Sequence, residues 1–365
     1  MAQELGDLEQ RTRVKIGQSD ANYIRRVRAF VWATEAAGRL MLLAAWFPPA
    51  WIVGALLLGV SKIVDNMELG HNVMHGQFNF MNDPDFNGER FEWDNTCPAS
   101  EWRHAHNYVH HTYTNVIGMD RDFGYGLLRL SNDLRWSWLH PFQLLWTALL
   151  ALLFEWFVAV HDMQLDKLIT GRRRWEDLRP QWLHVRSKFL HQLTKDYVLW
   201  PALAACFGTL WGHGGEAACG VLIGNATANM TRNVWAWAII FCGHFTAEVV
   251  TFSKDSIQGE TRGHWYLRQI LGSSNIQGGK LFHLLSGNLS HQIEHHLFPD
   301  LPANRYAELA PEVQAICRRY GVPYHTGSFS RQLFTVIGRI ARYSLPGGPH
   351  KATSLQEASR MVGSP

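Results

Sequence analysis

The apolar residues of this 365-residue chain are concentrated in five stretches, and the charged residues lie between the stretches. A helix that crosses a bilayer needs about 20 predominantly apolar residues, so the shorter stretches must extend into their flanks. The overall apolar fraction of 47% would suit a soluble protein. Its distribution instead predicts an all-α, polytopic membrane protein.

Charge and cysteine usage exclude several other classes. The net charge of +3 gives no reason to expect a nucleic-acid partner. The chain has five scattered cysteines and no C-x-x-C motif, which argues against a disulfide framework, a zinc ribbon or an iron–sulfur cluster. Residues 1–28 are polar and contain no apolar core of the signal-peptide type. The 19 histidines need a separate explanation.

Eight of the 19 histidines fall into three clusters: His71 and His75; His106, His110 and His111; His291, His295 and His296. At this histidine content the pattern H-x-x-x-H-H should occur about 0.05 times by chance, and it occurs twice. The first cluster, H-x-x-x-H, should occur about once and carries no weight alone. The repeated longer pattern therefore predicts a functional site.

The spacing of the clusters indicates a dinuclear metal site. Residues four apart share one helix face, so each cluster can place two imidazoles side by side. Adjacent residues point about 100° apart, so His110 and His111 should serve different metals, and so should His295 and His296. Imidazole suits zinc, copper, iron and nickel, and the residues do not choose among these metals.

Several other residues are open to two interpretations. His244 and Glu248, four apart in the last apolar stretch, are either a buried polar pair or part of the metal site. The carboxylates near the boxes either fix histidine tautomers or face solvent; they are Asp65, Glu68 and Glu294. An apolar substrate tunnel would have five tryptophans as candidate lining: Trp93, Trp102, Trp235, Trp237 and Trp265.

In order along the chain, the three clusters resemble the histidine boxes of the membrane fatty acid desaturases. The run Gln292-Ile-Glu-His-His-Leu-Phe-Pro299 is similar to the third box of the acyl-lipid and front-end branch. Residues 286–291 and 112–115 look closest to the bacterial acyl-CoA desaturases, and the resemblance covers residues 68–305. Gln292 stands where many members have the first histidine of the third box, so either His291 or Gln292 supplies that ligand.

The resemblance implies a non-haem di-iron centre held mostly by histidines. Its implied ligands are His71, His75, His106, His110, His111, His244, His291, His295 and His296. Of these, His110 and His295 are expected to be essential for catalysis. The off-pattern histidines His104, His264 and His283 are expected to have structural or supporting roles.

The resemblance also implies the reaction. We expect an O2-dependent oxidoreductase that introduces a cis double bond into a saturated acyl chain. An acyl-CoA substrate and position 9 are expected, although the residues themselves fix neither the carrier, the position nor the chain length. Since the chain has no cluster motif, dinucleotide fingerprint or haem domain, electrons from NAD(P)H should arrive through a separate ferredoxin- or flavoprotein-type donor. The alternatives are a hydroxylase or a sterol or sphingolipid oxidase on the same scaffold, and a zinc-dependent membrane hydrolase.

The topology follows from the need to collect all boxes on one side of the membrane. Residues 162–195 hold eight Lys or Arg and residues 212–233 hold one, so the former should be cytoplasmic and the latter outside. Residues 138–160 then lie at the interface, and four spans are expected near 29–47, 50–70, 197–215 and 233–253.

This layout divides the chain into three parts. Residues 29–310 form the desaturase domain, which lies between a cytoplasmic segment, residues 1–28, and a cytoplasmic C-terminal segment, residues 311–365, with a disordered tail. The protein should be integral to a bacterial inner membrane and in contact with its lipid. Its active site should lie on the cytoplasmic side.

Overall fold

The computed structural model describes residues 1–347, and its regular structure is almost entirely helical. The only strands among these residues are β1, Asn275–Gln277, and β2, Thr326–Ser328, which pair in parallel. Seventeen α-helices run in this order: α1 Ala2–Arg13, α2 Gln18–Leu43, α3 Pro48–Val64, α4 His71–Met74, α5 Ala99–Trp102, α6 His111–Tyr113, α7 Gln143–Leu152, α8 Phe154–Asp162, α9 Leu165–Ile169, α10 Trp175–Thr194, α11 Trp200–Thr209, α12 Gly214–His244, α13 Arg262–Leu271, α14 Lys280–Leu285, α15 Gln292–Leu297, α16 Tyr306–Arg319 and α17 Phe329–Ser344.

Four helices, α2, α3, α11 and α12, pack into a bundle. Pro48 and Pro49 begin α3, where their missing N–H groups cost no helical hydrogen bond. Glycines allow α2 and α3 to lie close together. A Cβ on Gly38 would lie 2.9 Å from Leu58 N, and one on Gly54 would lie 3.0 Å from Gly38 O. Small residues of this kind are typical of helix contacts in membranes.

A buried ionic cluster lies within this bundle. The Asp196 carboxylate accepts hydrogen bonds from Arg39 at 2.8 Å and from Lys62 at 3.0 Å, and all three side chains are almost fully buried. Pairing is the usual way in which ionisable groups are tolerated between apolar helices. This pairing explains why Arg39 can lie inside an apolar stretch.

Few of the described helices are long and apolar enough to cross a membrane. One helical segment there, Pro48–Met74, is long and apolar enough to cross a membrane on its own. The segment expected at the interface is a pair of helices, His140–Leu152 and Phe154–Asp162, which meet at 98° and pass the same test only together. The four-span arrangement is therefore not established by helix length and composition.

Helix α12 differs from the sequence expectation at both ends. Residues 214–233, expected in an external loop, are the first 20 residues of α12, because no proline interrupts them. The helix ends at His244, so Glu248 does not share its face, and the expectation of a buried His244–Glu248 pair is wrong. The Glu248 side chain is 35% exposed and lies 3.8 Å from Arg331.

The remaining segments form a cap over one end of the bundle. Helices α1, α13, α15 and α16 share an apolar core that includes Leu8, Ile270, Ile293 and Val313. The N-terminal segment is part of this cap, since the Asp20 carboxylate accepts a 2.7 Å hydrogen bond from Arg305 Nε. Residues 345–347 follow α17 without regular structure, and the rest of the expected tail lies outside the described residues.

Candidate metal centre

The three histidine boxes lie where helices of the bundle enter the cap. His71 begins α4 and His75 follows its last residue, directly above α3. The second box lies on a π-helical turn, Arg103–His110, that continues into α6. His295 and His296 lie on α15, and His244 is the last residue of α12. Single π-turns of this kind occur frequently at functional sites.

Eight of the nine predicted histidine ligands form one buried or nearly buried cluster with two centres. In the first centre, one ring nitrogen from each of four histidines lies within 4.8 Å of the others; these are His71, His75, His106 and His295. His110, His244 and His296 form the second centre by the same measure. His111 lies between the centres and groups with His295 and His296.

The ring nitrogens in this cluster suit bound cations. His75 Nε2, His111 Nε2 and His295 Nε2 are buried and have no hydrogen-bond partner among the described residues. Buried polar atoms normally have partners, so unpaired nitrogens that face one another need a ligand. His71 Nε2 lies 3.4 Å from His106 Nε2, and His244 Nε2 lies 3.1 Å from His296 Nε2. Two metal ions, one in each centre, would give these nitrogens a partner. This agrees with the prediction that adjacent histidines serve different metals.

Buried acceptors fix the opposite nitrogen of several of these rings. Both Asp120 oxygens lie 3.1 Å from His110 Nδ1, and Asp122 Oδ2 lies 3.4 Å from His106 Nδ1. Gln269 Oε1 lies 2.9 Å from His296 Nδ1. Such contacts set the tautomer and leave Nε2 free to bind a metal. Sequence reasoning missed these acceptors, although the Asp120-Arg-Asp122 triplet shortly after the second box was a usable signal.

The electrostatics of the site favour neutral imidazoles at its centre. Burial, with neighbouring imidazoles, holds the pKa of His111 and of His295 well below its ordinary value. Burial also opposes protonation of His110, but the Asp120 carboxylate outweighs it and raises the pKa of His110. His106 donating to Asp122 outweighs the burial of that carboxyl and lowers its pKa to about 2. Neutral imidazole is the form that binds metals, so the lowered pKa of His111 and His295 favours metal binding, whereas a protonated His110 would have to release a proton first.

His291 is the one predicted ligand that the structure does not bring to the cluster. It lies in a 3-10 turn, Leu289–His291, before α15 begins, so the four-residue spacing to His295 does not place the two rings together. Its ring stacks on His283 with centroids 4.6 Å apart. Gln292 reaches the second centre instead, with Nε2 2.9 Å from His244 Nε2 and a buried, unpartnered Oε1.

The buried carboxylates of Glu68 and Glu294 accept hydrogen bonds from side chains of other segments rather than from the clustered histidines. Glu68 accepts hydrogen bonds from Tyr23 and Asn288, both at 2.8 Å. Glu294 accepts from Asn275 and Tyr324, also at 2.8 Å, and burial raises the pKa of Glu294 to about 7. Of the off-pattern histidines, His104 is exposed and stacks on Tyr108, His264 is half-buried on α13, and His283 contacts His291.

A largely apolar cavity of about 70 Å³ opens beside the histidines. Trp93 and Trp102 line it, and the Trp102 ring stacks on His106 with centroids 4.5 Å apart. The other three candidate tryptophans do not line it: Trp235 packs on Phe282 and Phe329, Trp237 on Phe241, and Trp265 beneath Arg262. The cavity also reaches the buried ion pair of Glu155 and Arg232.

A histidine-rich, two-centre metal site at the end of a helical bundle, beside an apolar cavity, defines a class of helical metalloproteins that act on apolar substrates. Residues 45–328 match the fatty acid desaturase family, and the chain belongs to that family of oxidoreductases. Metal-binding histidine clusters and association with membranes are in keeping with that family.

Curated relatives extend over most of the chain. It is 44% identical over 346 residues to a protein from two Mycobacterium tuberculosis strains, named NADPH-dependent stearoyl-CoA 9-desaturase, with 95% of this chain and 80% of the relative covered. It is 26% identical to the sn-1 linoleoyl-lipid 6-desaturase of a Synechocystis strain, over 83% of this chain and 82% of that protein. No solved structure matches significantly.

Proposed function

We propose that this protein is a di-iron acyl-CoA desaturase that introduces a cis double bond at position 9 of a saturated chain such as stearoyl. The observation that carries the proposal is the pair of imidazole centres beside the apolar cavity. The mycobacterial relative, similar over almost the whole chain, bears the name of this activity and supports the choice of position and carrier.

Acyl-chain oxidation sets requirements that the site meets. Bound iron would supply O2 activation, which removes hydrogen from an unactivated C–H bond. The first centre would be held by His71, His75, His106 and His295, and the second by His110, His244 and His296, with His111 between the two. Asp120 and Asp122 hold the Nδ1 protons of their histidines, so these rings present Nε2 to the metal. The apolar wall formed by Trp93 and Trp102 would hold the acyl chain and exclude water.

The reaction requires an external electron source. Reducing O2 to two waters takes four electrons and four protons, and forming the double bond releases two of each. The other two electrons and two protons must come from elsewhere. We propose a separate ferredoxin- or flavoprotein-type donor fed by NAD(P)H, because the sequence contains no cluster motif or dinucleotide fingerprint. The name of the mycobacterial relative is consistent with NADPH as the source.

The proposed topology has four spans: α2, α3, α11 together with the π-helical turn Lys195–Leu199 before it, and α12. Helices α3 and α12 both reach the histidine cluster at their carboxyl ends, so they would cross the membrane in the same direction. The bent pair α7–α8 would lie along the cytoplasmic interface of a bacterial inner membrane. Residues 29–310 would form the desaturase domain, with both flanking segments on the cytoplasmic side.

Product analysis tests the proposal directly. Membranes containing the protein, NADPH, a reductase and its electron carrier should convert labelled stearoyl-CoA to the cis-9 alkene, identified by mass spectrometry after derivatisation of the double bond. An alcohol product would favour the hydroxylase alternative. Full activity with stoichiometric zinc and none with iron would overturn the di-iron assignment.

A further inference from the structure

Helix α17 carries an apolar stripe that no described residue covers. Its inner face is buried through Gln332, Val336, Ile340 and Ser344. The opposite face exposes Phe334 (79%) and Ile337 (37%) with the small residues Gly338 and Ala341, and the exposed Leu345 (65%) follows directly after the helix. Spacings of three, four and seven residues place the four helical residues on one side of α17.

Positive charge borders this stripe. Arg331 has a side chain that is 70% exposed and lies 3.8 Å from Glu248, and Arg342 is also exposed. The third arginine, Arg339, points inward and donates to the carbonyls of Leu130, Thr246 and Val249. Helix α17 contains no acidic residue. An apolar face with basic flanks is typical of helices that lie in a membrane interface.

The position of α17 agrees with such a location. The ring of its first residue, Phe329, packs against the ring of Trp235, with centroids 5.7 Å apart. Trp235 lies nine residues before His244, which at 1.5 Å per residue is about 13 Å below the metal cluster along α12. At its other end, the Ser344 carbonyl accepts a 2.9 Å hydrogen bond from Trp136 Nε1. Close by in sequence, Trp138 is 73% exposed.

We propose that α17 is an interfacial helix that inserts its Phe334–Leu345 stripe into the acyl region of an anionic lipid surface. Arg331 and Arg342 would contact the lipid phosphates. The proposal rests on the membrane topology given above, and it reassigns this part of the C-terminal segment from the cytoplasm to the bilayer surface.

The same helix is connected to the third histidine box. Gln332 Nε2, on the inner face of α17, donates to Ser274 Oγ at 2.6 Å and to Asn275 O at 3.1 Å. The Asn275 side chain in turn accepts from Ile293 N at 2.9 Å and donates to Glu294 at 2.8 Å. Lipid bound to α17 would therefore also stabilise the position of α15, the helix that carries His295.

Fluorescence depth measurements test the lipid contact. With the exposed Cys206 and Cys219 replaced by serine, an environment-sensitive dye on Phe334→Cys is compared with the same dye on Ala315→Cys, an exposed site on α16. In nanodiscs of phosphatidylglycerol, the dye at position 334 should be blue-shifted and quenched by lipids with brominated acyl chains. The dye at 315 should be quenched only by aqueous iodide. Iodide quenching at 334, or a blue shift that brominated lipid does not quench, would overturn the proposal, the latter because a second copy then covers the stripe.

Activity measurements test the link to the site. Phe334→Glu should lower turnover several-fold in anionic nanodiscs, whereas Val14→Glu, at a position 86% exposed on the N-terminal segment, should leave it unchanged. Arg331→Gln combined with Arg342→Gln should remove the preference for anionic over zwitterionic lipid. Equal turnover of the Phe334→Glu and Val14→Glu variants would refute the link. An unmodified protein that makes no alkene would instead refute the proposed function, while the depth measurement would still decide where α17 lies.

Discussion

Replacement of Asp120 by asparagine should weaken metal binding far more than its small change in shape suggests. Three donors converge on this fully buried carboxylate. His110 Nδ1 lies 3.1 Å from both oxygens, Asn115 N lies 2.8 Å from one, and Asp122 N lies 2.9 Å from the other. An asparagine presents an NH2 group on one side. Whichever way it is turned, that group faces a backbone N–H.

The magnitude follows from these contacts. A buried donor left without an acceptor costs about 1–3 kcal/mol of folding free energy. Loss of a hydrogen-bonded partner behind a metal-binding histidine typically lowers metal affinity about 10–100-fold, which is about 1.4–2.8 kcal/mol. Asp120→Asn should therefore lower both the thermal unfolding midpoint and the iron content at a fixed free concentration of ferrous ion.

Asp122→Asn provides the matched control. Asp122 is 14% exposed and accepts one hydrogen bond, from His106 Nδ1 at 3.4 Å, which the amide oxygen of asparagine can also accept. We expect less than about a tenfold loss of affinity for this variant. Elemental analysis after anaerobic dialysis against buffered ferrous ion measures both variants. Equal iron occupancy of Asp120→Asn and the unmodified protein would refute the role assigned to Asp120.

Three other variants or conditions have defined outcomes. His295→Ala should abolish alkene formation because it removes a nitrogen from the first centre, whereas His264→Ala, outside the cluster, should retain substantial activity; the reverse result would contradict the site. Asn275→Ala should lower the free energy of unfolding by about 2–4 kcal/mol in a denaturation assay, since it leaves Ile293 N and the Glu294 carboxylate short of partners; an unchanged midpoint would count against that bracing role. The purified chain with NADPH and substrate alone should be inactive, and activity should return when a reductase and carrier are added; robust turnover without them would rule out a separate donor.

How far the sequence predicted the site depended on local backbone geometry. The H-x-x-x-H argument holds for His71 and His75, whose rings lie 4.6 Å apart between centroids. It also holds for the second box, where the rings of His106 and His110 stack with centroids 5.1 Å apart on a π-helical turn, although the two residues also belong to different centres. It fails for His291, where a 3-10 turn precedes α15. Side-chain spacing cannot reveal such changes, because they depend on which backbone hydrogen bonds form.

Contacts from distant segments were beyond the reach of pattern analysis. Gln269 reaches His296 from α13, and nothing in its sequence surroundings marks it as an acceptor. The pairing of Asp196 with Arg39 and Lys62 joins three helices. By contrast, the all-helical fold followed directly from the distribution of apolar residues. Periodicity predicts elements, whereas partners across the fold emerge only from packing.

The proposed orientation in the membrane depends on residues 162–195, so labelling of that segment can test it. The only basic residue in 212–233, Arg232, is not in a loop: it lies on α12, buried in an ion pair with Glu155. The cytoplasmic assignment therefore depends on the eight basic residues of 162–195.

In a background without Cys206 and Cys219, Arg172→Cys should react with an impermeant thiol reagent only after cells are permeabilised. Glu216→Cys, exposed in the first turn of α12, should react in intact cells. Reaction of Arg172→Cys in intact cells would contradict the cytoplasmic site, because residues 162–195 pack through Asp162 and Gln181 against the cap that holds the second histidine box.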